Sequence, residues 1–176
     1  MFGCCNNLFS STCRCARSCG GSPVPAPTPI PVPIPTPPAP PQLRGMQLSL
    51  VGSSAGSVAH GACVPFDAVN SNNTIGVTYT PTSGVVNLSR TGTYLVNWWV
   101  GIESNQSAES VAFALSLNGS DLATSYADLG GGQIVGTAIV NVTSIPATLS
   151  LVNRSGNEVT YVTAAGQAGL TITQLA

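Results

Sequence analysis

GTYLVNWWVGIES, residues 92–104, alternates in a way that decides the fold. In an extended chain successive side chains point to opposite faces, so Tyr94, Val96, Trp98, Val100 and Ile102 share one face. That face is wholly apolar and is expected to line the core of a sandwich. The other face carries Leu95, Asn97, Trp99 and Gly101. Leu95 and Trp99 make it too apolar for a solvated surface, so a second covering is expected there.

Outward from this segment the same language continues. SVAFALSLNGSD, 110–121, sets Val111, Phe113, Leu115 and Leu117 on one face and Ala112, Ala114 and Ser116 on the other. It reads as an outer strand with a solvated or lightly covered back, ending in the hairpin signal Asn118-Gly119. QIVGTAIVNV, 133–142, is apolar on both faces. Further strands are expected at 147–153, 158–163 and 169–175, and no segment has a helical period. From about Leu43 onward, short β-rich runs punctuated by Gly, Asn and Ser predict an all-β antiparallel sandwich or jelly roll. Phe66, Tyr94, Val96, Trp98, Phe113 and Leu115 are its expected core.

The first 42 residues differ in kind. Residues 23–42 hold PVPAPTPIPVPIPTPPAPPQ, with proline at almost every second position and no charge. Proline fixes φ and removes the backbone donor, which excludes helix and sheet interior and leaves polyproline II. At about 3.1 Å per residue the segment reaches roughly 60 Å when extended. It reads as a stiff spacer. Residues 1–22, MFGCCNNLFSSTCRCARSCGGS, hold Cys4, Cys5, Cys13, Cys15 and Cys19, leaving Cys63 alone in the head. The steps CC, CxC and CxxxC, without a nearby histidine, do not fit the paired CxxC of a zinc ribbon. No metal and no cofactor is expected. A tip this short buries no core, so its cysteines suit disulfides, and their odd number suits bridges between chains. A tail of free thiols is the alternative. Phe2, Leu8 and Phe9 are the candidate apolar anchors of this connector.

Composition narrows the function classes. Charged residues make up 6% of the 176, no lysine occurs, and the formal net charge is -1. Typical soluble domains carry about 25%. Nucleic acid demands clustered Lys and Arg, so it is an unsuitable partner. An anionic membrane surface is unsuitable for the same reason. No run approaches the 18 or so apolar residues of a membrane helix, and no signal-peptide core is visible. A surface with so little repulsion favours self-association. Catalysis has little to work with. His60 is the only histidine, Cys63 three residues on suits a small buried residue, and no GxSxG elbow occurs. The acids Asp67, Glu103, Glu109, Asp121, Asp128 and Glu158 form no motif pair. An enzyme is not expected.

The order of VPFDAV (64–69), IGVTYTPTSGVVNLSRTGTYLVNWWV (75–100), the NG hairpin and AGLTITQLA (168–176) resembles the jelly-roll heads of the complement-head and tumour-necrosis-factor superfamily. Within it, residues 43–176 resemble the C-terminal domains of BclA-type glycoproteins of the bacterial spore surface (exosporium). The resemblance rests on Phe66-Asp67, Gly92, Tyr94 and Val96, and the glycine before the closing apolar strand. It implies a ten-stranded jelly roll assembled as a homotrimer, with Leu95 and Trp99 facing the threefold axis. It also implies a place on the spore surface, with other spore-surface proteins as further partners. BclA-type chains carry collagen repeats before the head, whereas here the proline strut stands in that place. Two readings of function follow. One is a structural subunit of a spore-surface layer or appendage fibre, its trimeric heads joined through N-terminal connectors and disulfides. The other is an adhesive or receptor-binding head displayed on a stalk.

Overall fold

A computed structural model describes residues 42–52, 56–104, 110–128, 132–163 and 165–175. Ten strands form two five-stranded antiparallel sheets, and no helix occurs among the described residues. The inner sheet runs β3 (Ala68–Asn72), β1 (Arg44–Leu50), β12 (Ala168–Gln174), β6 (Gly92–Ile102), β9 (Gly132–Val142). The outer sheet runs β4 (Val77–Tyr79), β5 (Val86–Leu88), β10 (Ala147–Asn153), β7 (Ser110–Leu117), β8 (Ser120–Asp128). A ribbon of β2 (Ser57–Val58) and β11 (Val159–Thr160) stands beside them. Within the inner sheet no two paired strands are successive in the chain, so the chain crosses repeatedly between sheets. That connectivity is a jelly roll.

β6 shows why the sequence folds this way. Its face of Tyr94, Val96, Trp98, Val100 and Ile102 is buried against the outer sheet. Phe66, Phe113 and Leu115 join the same core, with Tyr161, Leu149 and Leu151. Burying side chains of this size stabilises by about 1.5–3 kcal/mol each before conformational entropy is counted. Tyr94 keeps its hydroxyl satisfied by donating to the Arg90 carbonyl at 2.9 Å. The β7–β8 hairpin turns at Asn118-Gly119 with φ of 51° and 82°. Two positive φ values are what a two-residue turn needs to match strand twist. Asn118 Oδ1 also accepts the Thr148 N–H at 2.8 Å, tying the turn to β10.

Three expectations change in detail. The back of β7, expected to be solvated or lightly covered, is buried at Ala112, Ala114 and Ser116. The Arg154 N–H donates to the Ala112 carbonyl, while its guanidinium reaches Asp121, which is paired with Ser116. The arginine side chain thus runs along the strand above Ala114, and small residues leave room for it. VPFDAV becomes a strand only from Ala68, because its earlier N–H groups bond in turn to Leu151, to Val64 and to Ser49 carbonyls rather than to one neighbour. Of 158–163 only Val159 and Thr160 form a strand, since Tyr161 changes partner from β2 to Ile102.

Candidate functional site

The face of the inner sheet turned away from the core is the most unusual surface of the head. Register places Leu95 between Thr173 and Ile139, Asn97 between Thr171 and Thr137, and Trp99 between Gly169 and Val135. Leu95 and Trp99 are half-buried, while Val135 and Ile139 are 64% and 65% exposed. No charged side chain stands at any of these positions. The polar members are threonines and Asn97, and Thr93 Oγ1 donates to Asn141 Oδ1 at 3.1 Å at the strand end.

Trp99 owes its posture to glycine. A Cβ added at Gly169 would collide with the indole Nε1 and stand 2.9 Å from Cε2 and 3.1 Å from Cδ1. The indole therefore lies flat on the β12 backbone, with its far edge over Gly166. Beside it a shallow depression of about 500 Å3 is lined by Asn97, Gln133, Val135, Thr137 and Thr171. A flat aromatic, two aliphatics and uncharged hydroxyls form a surface suited to a dry protein contact.

A second apolar surface lies at the seam where β8 passes β9. β9 is an edge strand of the inner sheet and β8 of the outer. On β8 the outward positions include Leu122 and Tyr126, the latter 74% exposed. The two surfaces differ in shape and composition. One is a broad sheet face and the other a narrow edge.

The groups considered for catalysis are held in structural contacts. His60 is exposed, and its Nδ1 accepts the Gly156 N–H at 3.0 Å. Cys63 is half-buried and bridges to Val152 through its backbone. Asp121 takes a bidentate pair from Arg154 at 2.8 and 2.9 Å, which holds its carboxyl below the usual range. The Thr163 hydroxyl and N–H, both at 2.7 Å, do the same for Glu103. Among the described residues no group of three or more His, Cys, Asp or Glu could hold a metal ion. The connector residues Phe2, Cys4, Cys5, Leu8, Phe9, Cys13, Cys15 and Cys19, and the spacer up to residue 41, lie outside the described residues.

Val135 and Ile139 belong to the apolar face but were not singled out from sequence. The signal was the doubly apolar QIVGTAIVNV, which leaves one face without an internal partner. Gly169 counted only toward the family likeness, and its role as the seat of Trp99 carried no signal, because a glycine in a strand does not show what lies on it.

No protein-family model matches the chain, and no curated protein matches its sequence. Solved structures with a similar fold include murine APRIL, at a TM-score of 0.61 and 11% identity over 76% of this chain and 100% of the other. The Eiger TNF of S. frugiperda matches at 0.54 and 16% identity, covering 76% of this chain and 93% of its own. The globular domain of zebrafish complement 1qA matches at 0.53 and 9% identity, over 75% and 95%. The head therefore has the jelly-roll fold of TNF-like and complement-type heads.

Proposed function

We propose that the chain is a structural, self-assembling subunit of a bacterial spore-surface layer or appendage fibre. Its heads associate in threes, and the N-terminal connectors join one trimer to the next and lock by disulfides. The observation that carries this reading is the uncharged apolar face of Leu95, Trp99, Val135 and Ile139. A second copy covering Val135 and Ile139 would gain about 1–2 kcal/mol from each. Leu122 and Tyr126 on β8 are also exposed and offer this face a different surface to meet, edge against face. Edge against face is a heterologous contact, and such contacts close into rings when the rotation allows. Trimers are typical of this fold.

The finer likeness to BclA-type proteins rests on the order of the sequence segments, and the spore-surface location follows from that likeness. The proline spacer and the cysteine-rich tip support a connector, because a head that is merely displayed needs one anchor rather than five thiols and three apolar side chains. A second reading, an adhesive or receptor-binding head, is favoured by exposed Leu122 and Tyr126, which the monomer leaves uncovered. Light scattering and negative-stain microscopy of the full chain, with and without reductant, separate the two. Trimers that polymerise through a reducible link support the structural subunit. Trimers that stay single with residues 1–22 present, and equally so without them, favour the adhesive head.

A further inference from the structure

The head is electrically polarised along its strands. β1 begins at Arg44 and is paired with Gln174 near the end of β12, and Arg90 stands two residues before β6. All three line one cavity of about 240 Å3 with Gln42, Ile75 and Leu175, and no acid lines it. Call this end the base. Arg44 and Arg90 are both exposed.

The acids gather at the other end. Asp67 Oδ1 accepts the N–H of Val51, just past the last residue of β1. Glu103 follows the last residue of β6. Asp128 ends β8, and only three residues separate it from Gly132, which pairs with Ile102. Glu158 lies beyond the Ile102–Tyr161 bridge and accepts the Ser57 hydroxyl at 2.5 Å. Asp121 and Arg154 cancel each other. The base thus carries two arginines, and the apex carries four carboxylates. Upstream, residues 1–43 hold Arg14 and Arg17 and no acid at all. In a chain with 6% charged residues, this segregation gives the head a basic end and an acidic end.

We infer that heads stack base to apex, so that the acidic apex of one copy receives the basic base of the next. Parallel stacking of this kind brings opposite charges together at every joint, whereas base-to-base and apex-to-apex contacts set like charges together. Like-charge juxtaposition is an effective discriminator between docking orientations. The charges thereby give a fibre one direction before any disulfide forms.

This inference rests on the polymer reading above. The test uses the full chain with reductant present, so that only the non-covalent joint is measured. Light scattering gives the threshold concentration for assembly at 50 and 500 mM NaCl. The screening length falls from above about 10 Å to below about 8 Å over that range. The threshold is expected to rise about tenfold. R44E with R90E, and separately D128R with E158R, should raise it similarly at low salt. An equimolar mixture of the two double variants should recover assembly, since each supplies the complement the other lacks. Melting curves check that both variants keep the wild-type fold, and the salt comparison stands without any variant. Fibres whose threshold ignores salt, charge reversal and mixing would overturn the stacking and leave the polymer intact. Wild-type chains that stay single with reductant at every salt concentration but polymerise without it would overturn the stacking and leave the polymer reading, and chains that stay single in both conditions would remove both.

Discussion

Replacing Gly169 by alanine adds one methyl group beneath the Trp99 indole. The methyl carbon would stand 2.9 Å from Cε2 and 3.1 Å from Cδ1, and closer still to Nε1. Carbon contacts settle at about 3.5–4.0 Å, so the ring must lift by about 1 Å. Trp99 lies outside the buried core and can tilt outward, so the head stays folded. The cost falls in the range for overpacking, about 1–3 kcal/mol. For a domain of this size each kcal/mol moves the melting temperature by about 3–5 °C, which gives a loss of about 3–15 °C. The lifted ring also roughens a face that a second copy must match, so trimers should dissociate at higher protein concentration than wild type. Thermal melting at fixed concentration and size-exclusion light scattering, both with reductant, read the two effects. The control is W99A. In that background the methyl has nothing to strike, and Gly169→Ala should be neutral or gain about 0.5–1 kcal/mol from reduced chain entropy. The double variant thus costs less than the two single changes added together, a difference measurable by a double-mutant cycle. An unchanged melting temperature in the wild-type background, or an equal loss in both, would refute the seating of Trp99 on Gly169.

Trp99→Asp should split the trimer outright, because an unpaired carboxylate in a dry contact costs several kcal/mol; a wild-type chain that runs as a stable monomer by light scattering would defeat the assembly surface altogether. Replacing Cys4, Cys5, Cys13, Cys15 and Cys19 by serine should remove reducible multimers on non-reducing gels, and Cys63→Ser should not. Asn153 is fully buried, and its side chain bonds to the Val58 and Asn157 carbonyls and the Ser155 N–H at 2.8–2.9 Å. Asn153→Ala should therefore cost about 3 kcal/mol in denaturant unfolding, by leaving those groups unpaired. Asp121 and Glu103 have folded pKa values below their ordinary ones, so their contributions are present above the carboxylate range. They fade as pH falls through the lowered values, and Asp121→Asn should flatten that acid limb while costing about 0.5–1 kcal/mol at neutral pH.

The alternation of residues 92–104 made both faces of β6 legible, because large side chains in a two-residue period report burial directly. The hairpin at Asn118-Gly119 was equally plain, since few residues accept its backbone. The back of β7 was not legible. Alanine and serine fit a wet or a dry face alike, and the deciding contact, Arg154 reaching Asp121, spans 33 residues of chain. The likeness to tumour-necrosis-factor and complement heads was readable from segment order, and the solved structures bear out that fold while identities of 9–16% carry nothing finer. The polarity of the head was invisible for another reason. Arg44, Arg90 and Gln174 are far apart in sequence, and only the pairing of β12 with β1 on one side and β6 on the other brings them to one end.

β9 has 11 residues, no charge, no proline, and one edge of its backbone unpaired within the inner sheet. Most proteins guard such an edge with lysine, proline or a bulge. Here none of these is present, so wherever β8 does not cover it this edge is a template on which another extended chain can add. Its fate becomes a race. Association through the sheet face and seam covers the edge in an ordered ring, while strand addition at the edge leads to open ribbons without limit. Production of the isolated head should therefore depend on how it is brought to concentration. Slow dilution from denaturant, which keeps extended and folded chains together, would favour ribbons, and rapid dilution would favour the ring.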